Sequence, residues 1–370
     1  MLDYTKPFTL AETLLNEFDG KDILADLRVY GVYTGDVFEP ANNFGAFGFL
    51  PVAGTSTGDS LGLTPILGKP PQEWPVLKYS HNGGETCIVS SSLPLLAASS
   101  IVGHIRPGYI IEDREEILEA REDVLAFARV IGGETQALKM IQFLEGLKED
   151  DENDFSSFFL YSQAEGLTWF VEFLNAYKKV YVEDEDAIET WKTFLKRYSF
   201  VTPAWELLFL AQSARGEDAS EAAWKSATSE RHLNDFVFSL CRANGMDFDF
   251  DATDSKNFEL LAEDNARLQA CRYLSESKTF AERPQTSAIK REAEEEDCAQ
   301  AWLEAGNTLL KSKKFDEAYR CFLNSAGHYY YENGEFWKDS AIAALAAAKG
   351  MGEPVIVELI EPLTQEESEE

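Results

Sequence analysis

Three short motifs in this 370-residue chain contain residue types that carry chemistry in other proteins. The first, residues 62–70 (GLTPILGKP), combines glycines with a lysine, as phosphate-binding loops do. A P-loop has four residues between its glycines and a Ser or Thr after the lysine. Here five residues separate Gly62 from Gly68, and Pro70 follows Lys69. The spacing therefore excludes a P-loop.

The second motif, residues 247–251 (DFDFD), places three aspartates at alternate positions, as at the start of a calcium loop. An EF-hand beginning there needs Gly at its sixth position and Glu at its twelfth. This chain has Ala252 and Phe258 instead. The alternation predicts that the two phenylalanines pack inward and the three carboxylates face water.

The third motif pairs Cys87 with His81 across a predicted hairpin. A thiol nucleophile needs an activating environment, and burial in an apolar strand raises the pKa of a cysteine instead. We therefore expect His81 to satisfy backbone groups of the turn or to contact the adjoining helix. No H-E-x-x-H or G-x-S-x-G motif is present, and no histidine lies four residues from another ligand: the four are His81, His104, His232 and His328. We predict a protein that is not an enzyme, with no catalytic, cofactor-binding or metal-binding residues, and the sequence identifies no partner-binding residues.

The elements around these motifs are clearest in residues 58–99. Apolar residues at 61, 63 and 66 begin a strand, a Pro-rich loop follows, and residues 74–81 alternate with Val76 and Tyr79 as inward positions. Residues 81–84 (HNGG) tolerate the positive φ of a two-residue hairpin turn. Residues 86–90 are a short β-branched strand, and Pro94 early in the next segment predicts a short helix.

The order of these elements resembles the SUKH superfamily, which groups fungal cell-wall regulators with bacterial toxin-immunity proteins. The resemblance rests on a Gly-Asp strand start with alternating leucines (residues 58–63), a loop with Pro70 and Pro71, the run Trp74-Pro75-Val76 near Tyr79 and His81, and the Ser-rich end at residues 91–96. Residues 44–54 add a preceding strand. The chain departs from the family at its front end, where the usual first helix with a Leu-Pro start and an Asn-Gly-Gly exit is not evident; residues 9–18 read as one helix and residues 26–38 as a strand-like stretch. The resemblance implies an α+β fold, with an N-terminal SUKH-like mixed α/β domain over residues 1–108.

Helical periodicity follows this segment. Residues 113–130 and 135–147 are predicted amphipathic helices separated by Gly132 and Gly133, and residues 148–154 are an acidic linker. Aromatic residues at i, i+3 and i+4 spacing then predict core-forming helices. We expect a helical domain over residues 109–285, with residues 278–297 as a hinge or a partly exposed helix. Its later predicted helices cover residues 167–181, 187–198, 203–211, 219–227, 232–243 and 258–274.

The last part of the chain resembles a tetratricopeptide (TPR) repeat. The positions that carry this resemblance are Trp302, Ala305, Gly306, Leu309, Phe315, Ala318, Phe322 and Ser325. Gly306 and Ala318 are small where two helices approach closely, and Trp302 and Phe322 fill the gap between them. We therefore predict an all-α, TPR-like segment over residues 286–363, with a weaker second helix pair at residues 329–349. An acidic disordered tail is predicted over residues 364–370.

The net charge of the chain limits the classes of partner that it is expected to bind. The chain has 33 basic and 65 acidic residues, a net charge of −32, of which only −5 lies in residues 1–110. A strongly acidic surface repels nucleic acid and anionic membranes, so neither is an expected partner. Such a surface attracts basic proteins, although an acidic surface is also a common way for a protein to stay soluble.

The cysteines and the N-terminus indicate the compartment. Five scattered cysteines without a C-x-x-C pair are typical of reduced thiols rather than of a disulfide scaffold. The N-terminus lacks the basic region and apolar run of a signal peptide, and no apolar stretch reaches the length of a membrane span. We predict a cytoplasmic protein, and its oligomeric state cannot be read from the sequence.

Two functions fit these patterns. The SUKH resemblance implies an immunity-type protein that neutralises a cognate toxin, such as a basic nuclease, by occluding its active surface. The alternative is a regulatory scaffold whose SUKH-like and TPR-like parts dock partner proteins or peptides. Both are non-catalytic protein-binding roles.

Overall fold

The fold comes from a computed structural model of the full chain. The structure describes residues 22–24, 27–28, 50–54, 60–63, 74, 76–79, 86–90, 92–98, 115, 118–146, 172–173, 176–177, 180, 182–199, 201–229, 265–277, 279–329 and 337–364.

The chain forms two compact units. The first comprises Met1–Phe44, Gly48–Thr168 and Ser239–Gly245, and the second comprises Gly45–Phe47, Trp169–Phe238 and Met246–Glu370. The domain boundaries predicted at residues 108, 285 and 363 stay predictions.

Short strands of the first unit pair in the order β1-β2-β3-β4-β5-β6, each antiparallel to its neighbour in the chain. Leu63 lies opposite Val76 in the β4–β5 ladder, and both side chains are buried, as is Trp74. The strands expected near residues 61–63, 76–79 and 86–90 are therefore present, with Val76 inward. The strands are β1 (Asp22–Leu24), β2 (Leu27–Arg28), β3 (Leu50–Gly54), β4 (Ser60–Leu63), β5 (Val76–Tyr79) and β6 (Thr86–Ser90).

The predicted fold class, α+β with an N-terminal mixed α/β domain, is wrong. Most residues that the structure describes are helical, and the strands are only two to five residues long. The described strands are all joined to their chain neighbours as antiparallel pairs, a pattern that short connections permit. The alternation in residues 58–90 predicts these short strands, but they make up only a small part of the described residues, most of which are helical.

A helical hairpin accompanies these strands in the first unit. Helix α1 (Arg121–Val130) is followed by Gly132, whose φ of +79° suits glycine, and α2 (Glu134–Gly146) begins two residues after Gly132. The predicted stop at the Gly-Gly pair is confirmed. Gly133 packs directly on the backbone of Pro94, in a 3-10 helix at Leu93–Leu95, and a Cβ at residue 133 would lie 1.6 Å from the Pro94 carbonyl oxygen.

Replacing Gly133 by alanine is therefore expected to destabilise the first unit by about 1–3 kcal/mol, because a backbone atom must move to admit the methyl group. Gly146→Ala is the control, since its Cβ meets nothing within 4 Å. Thermal unfolding followed by circular dichroism measures both variants. Equal melting temperatures for the two variants would show that the contact with Pro94 is unimportant.

The second unit is an array of helices in which each packs on its neighbours in the chain. The predicted helices at residues 187–198, 203–211, 219–227 and 258–274 are confirmed in outline, while residues 232–243 lie outside the described residues. The helices are α3 (Ala187–Arg197), α4 (Thr202–Ala214), α5 (Ser220–Thr228), α6 (Asn265–Glu276), α7 (Thr286–Ala293), α8 (Ala299–Lys311), α9 (Phe315–Tyr329), α10 (Trp337–Met351) and α11 (Pro354–Ile360), followed by a 3-10 helix at Glu361–Thr364.

Aromatic residues form the core at the start of this array. The ring of Phe173 lies 5.5 Å from that of Trp191 and 5.8 Å from that of Phe194, between centroids, and all three side chains are buried. Helix α4 follows, with Pro203 in its first turn as predicted. It is buried on nearly all sides by contacts with α3, α5 and α6. The prediction that these aromatic residues form a core is confirmed.

The predicted TPR-like helix pair is present as α8 and α9. Gly306 faces Phe322 so closely that a Cβ at residue 306 would lie 2.4 Å from the ring atom Cε1. Trp302 and Phe322 are completely buried. The Ser325 hydroxyl donates to the Ala299 carbonyl at 2.9 Å, which joins the end of α9 to the start of α8. The same kind of close approach recurs between Gly350 of α10 and the ring of Phe315 in α9.

A buried arginine connects three helices in the middle of the array. Arg267 of α6 donates through Nε to Glu292 Oε1 of α7 at 2.8 Å. Its Nη1 and Nη2 donate to the carbonyls of Ser229 and Ala227, at the C-terminal end of α5, at 2.8 and 3.0 Å. The side chains of Arg267 and Glu292 are only 1% and 5% exposed. The arginine therefore satisfies carbonyls at a helix end and meets the negative pole of the α5 dipole.

Candidate functional site

A cleft of about 690 Å³ opens on the second unit. Three segments line it: α5, the turn at residues 279–285 that precedes α7, and the first half of α9. Its volume lies in the range of small-ligand and side-chain pockets. It is the candidate site of this protein.

A stack of two aromatic rings and an arginine forms one wall of the cleft. The rings of Trp224 and Phe280 lie 4.8 Å apart between centroids, with an interplanar angle of 16°. The guanidinium carbon of Arg283 lies 4.3 Å from the Trp224 ring centroid and 4.7 Å from that of Phe280. Arg283 is solvent-exposed while both rings are buried. The cation–π contacts therefore hold an exposed guanidinium in one place.

Hydrogen bonds fix the turn that carries this stack. The Thr286 hydroxyl donates to the Phe280 carbonyl at 2.5 Å, and the backbone N–H of Arg283 donates to the same carbonyl at 3.0 Å. The backbone N–H of Thr279 donates to the Ser277 hydroxyl at 3.2 Å. These bonds order the turn before a ligand arrives, which lowers the entropy cost of binding.

The turn at residues 279–285 ends in a buried glutamine that contacts α9. Gln285 is 2% exposed, and its Nε2 donates to Glu317 Oε2 of α9 at 3.3 Å. The other oxygen of Glu317 lies 3.3 Å from Lys314 Nζ. The amide oxygen Oε1 of Gln285 has no hydrogen-bond partner among the described residues. The cleft thus contains a buried acceptor without a donor.

Charged groups surround the cleft mouth. Asp316 pairs with Arg320 at 3.4 Å, and Glu221 and Lys225 are exposed on α5. Asp218 accepts the backbone N–H of Ser220 at 3.0 Å, and the side-chain and backbone hydrogen bonds from Ser220 hold the pKa of Asp218 below its usual value. Asp218 therefore stays ionised and accepts a backbone N–H at the start of α5.

The thiol of Cys321 lies in the cleft lining but is suppressed as a nucleophile. Burial, assisted by the negative charge of Glu317, raises the pKa of the Cys321 thiol far above its ordinary value, and Arg320 opposes this effect only in part. A nucleophilic cysteine needs the opposite shift, since the thiolate is the reactive form. The described lining also contains no histidine. Cys321 is therefore poorly suited to act as a nucleophile.

We expect native Cys321 to resist alkylation by iodoacetamide at pH 8, because the thiol is both buried and protonated. Peptide mapping by mass spectrometry, before and after unfolding in guanidinium chloride, measures the labelled fraction. Lys225→Cys places a thiol at an exposed position of the same cleft and is expected to react readily. Rapid native labelling of Cys321 would contradict the assignment of a suppressed thiol.

None of the described lining residues of this cleft belongs to the motifs found in the sequence. Gly62 lies in β4 and the Cys87 backbone in β6, both in the first unit. His81, residues 247–251 and the side chain of Cys87 lie outside the described residues. No group of three or more His, Cys, Asp or Glu side chains within the described ranges is placed to hold a metal ion.

Sequence reasoning did not identify the residues that form the cleft. Trp224 lies in the predicted helix at residues 219–227, while Phe280 and Gln285 lie in the polar segment predicted as a hinge or a partly exposed helix. The only sequence signal was the break in helical periodicity near residues 278–285, which marks a loop but not what the loop contacts.

Comparison with known proteins finds no relative: no family model matches the chain, and no curated protein or solved structure shows significant similarity to it. The SUKH resemblance therefore stays a prediction carried by residues 58–96 alone. Within the described ranges, no helix has the length and apolar character needed to cross a membrane.

Proposed function

We propose that this chain is a non-catalytic protein-binding protein that docks a partner in the cleft of its second unit. The observation that carries the proposal is the Trp224–Phe280–Arg283 wall, an ordered aromatic–arginine cluster at a cleft on a helical array. Trp and Arg are the residues most often responsible for binding energy at protein interfaces. Stacked helix arrays commonly use such concave surfaces for partners.

Charge supports a basic partner. Residues 111–370 carry a net charge of −27, so the part of the chain that contains the cleft attracts positively charged proteins over long distances. We place the protein in the cytoplasm, and the three described free cysteines, Cys271, Cys298 and Cys321, favour a reducing compartment. Neutralisation of a basic toxin is one specific form of this function and stays a prediction. A toxin gene adjacent in the genome would favour it, and housekeeping neighbours would favour a regulatory scaffold.

The test is affinity purification from the source cell followed by calorimetry with the purified, identified partner. Arg283→Ala is expected to weaken binding by more than about tenfold, as loss of an interface hot spot does. Arg291→Ala is the matched control, because Arg291 is exposed on α7 and does not line the cleft. Failure to recover a partner, or equal affinities for both variants, would overturn the proposal.

A further inference from the structure

We infer that the cleft accepts an arginine side chain of the partner, which donates hydrogen bonds to Gln285 Oε1 beside the carboxylate of Glu317. This inference rests on the proposed docking function and names the group that enters the site. It begins from the one buried polar atom of the described lining that lacks a partner. An unsatisfied buried acceptor is costly, and a ligand that supplies a donor recovers that cost.

The orientation of the Gln285 amide follows from its neighbour. An ionised carboxylate can only accept hydrogen bonds, so the NH2 group of Gln285 must be the end that faces Glu317. The amide oxygen then faces away from Glu317, where it needs a donor. The contact with the Glu317 carboxylate therefore fixes which end of the Gln285 amide donates and which end accepts.

The charge beside this acceptor favours a cation. Glu317 touches the Gln285 amide at 3.3 Å, and Asp316 precedes it on α9 at the cleft lining. Glu221 adds an exposed carboxylate from α5. A donor reaching Gln285 Oε1 thus arrives next to acidic groups, on a chain of net charge −32.

Guanidinium chemistry fits this arrangement better than an ammonium group does. A guanidinium has five donors in one plane, so it can meet the Gln285 oxygen and a nearby carboxylate together. It is also more weakly hydrated than an ammonium group, so it loses less hydration on entering the cleft. Lys225, Arg283 and Arg320, the last paired with Asp316, also line the cleft, and they would instead favour an acidic group. The experiment separates these two possibilities.

The probe is Nα-acetyl-arginine amide, titrated into the full chain by ligand-observed NMR. The neutral isostere Nα-acetyl-citrulline amide and the acidic Nα-acetyl-glutamate amide are titrated in parallel. We expect millimolar binding of the arginine probe alone, and a loss of about tenfold in Gln285→Met, the range for a hydrogen bond to a charged group. Glu221→Gln, at an exposed position that leaves the fold intact, is expected to weaken binding by a smaller factor.

Glu296→Gln is the matched control, because it removes one exposed carboxylate outside the cleft lining. Unchanged arginine binding in this variant supports the site. Equal binding of citrulline, tighter binding of glutamate, or no arginine binding overturns the inference. If the arginine probe does not bind but Arg283→Ala still weakens partner binding, the arginine inference is wrong and the docking proposal stands. If the arginine probe does not bind and Arg283→Ala does not weaken partner binding, the docking proposal is wrong as well.

Discussion

Arg267→Leu is expected to destabilise the second unit by about 3–5 kcal/mol, the usual effect of breaking a buried ion pair. The substitution leaves the Glu292 carboxylate buried without its guanidinium and removes donors from the Ser229 and Ala227 carbonyls. Urea unfolding followed by far-UV circular dichroism measures the change in the free energy of unfolding.

An exposed pair on the same helix provides the control. Arg272 lies on α6 and pairs with Glu295 at 2.7 Å, but both side chains are more than half exposed. Arg272→Leu is expected to cost about 1 kcal/mol or less, since solvent screens an exposed pair. The double variant Arg267→Leu/Glu292→Leu is expected to regain part of the loss by removing the unpaired charge. Equal losses for Arg267→Leu and Arg272→Leu would contradict the importance of burial.

Phe322→Ala is expected to cost about 3–5 kcal/mol, because it removes a completely buried ring from the interface between α8 and α9. Gly306→Ala alone is expected to cost about 1–3 kcal/mol, since its Cβ would meet that ring. In the Phe322→Ala background the same methyl group enters the space that the ring has left. Gly306→Ala should then cost much less or become stabilising.

This double-mutant cycle measures the coupling between the two positions directly. Equilibrium unfolding in urea gives all four free energies. Additive effects of Gly306→Ala and Phe322→Ala would show that the two residues do not meet, and that the TPR-like packing is wrong. Gly146→Ala, with open space around its Cβ, shows what a glycine-to-alanine change costs without a contact.

Local periodicity predicted much of the helical array. The aromatic spacing in residues 187–198 fixes one buried face, so both α3 and its core residue Trp191 follow from the sequence. The TPR-like spacing also predicts the Gly306–Phe322 contact, because a small residue opposite a large one implies close helices. Such patterns involve residues that lie close together in the chain, within one helix or one helix pair. They can therefore be recognised from one sequence.

Pairings across long separations were not predictable in the same way. Arg267 reads as an exposed charge on an amphipathic helix, and nothing near it indicates that Glu292 and the end of α5 enclose it. Trp224 and Phe280 likewise belong to different segments, so their stack and the cleft depend on how α5 and the turn before α7 pack. The fold class was wrong for a different reason: the strands near residues 61–63, 76–79 and 86–90 were predicted, but most of the described residues are helical.

The arginine that joins α5, α6 and α7 has a consequence for how the array opens. A stack of helices held by neighbour contacts alone can unfold one helix at a time. Arg267 gives the end of α5 and the C-terminal end of α7 one shared set of hydrogen bonds, and α5 lines the cleft. Amide hydrogen exchange in these three helices should therefore slow together as a single cooperative block, so that a partner seated in the cleft protects backbone far from its own contacts.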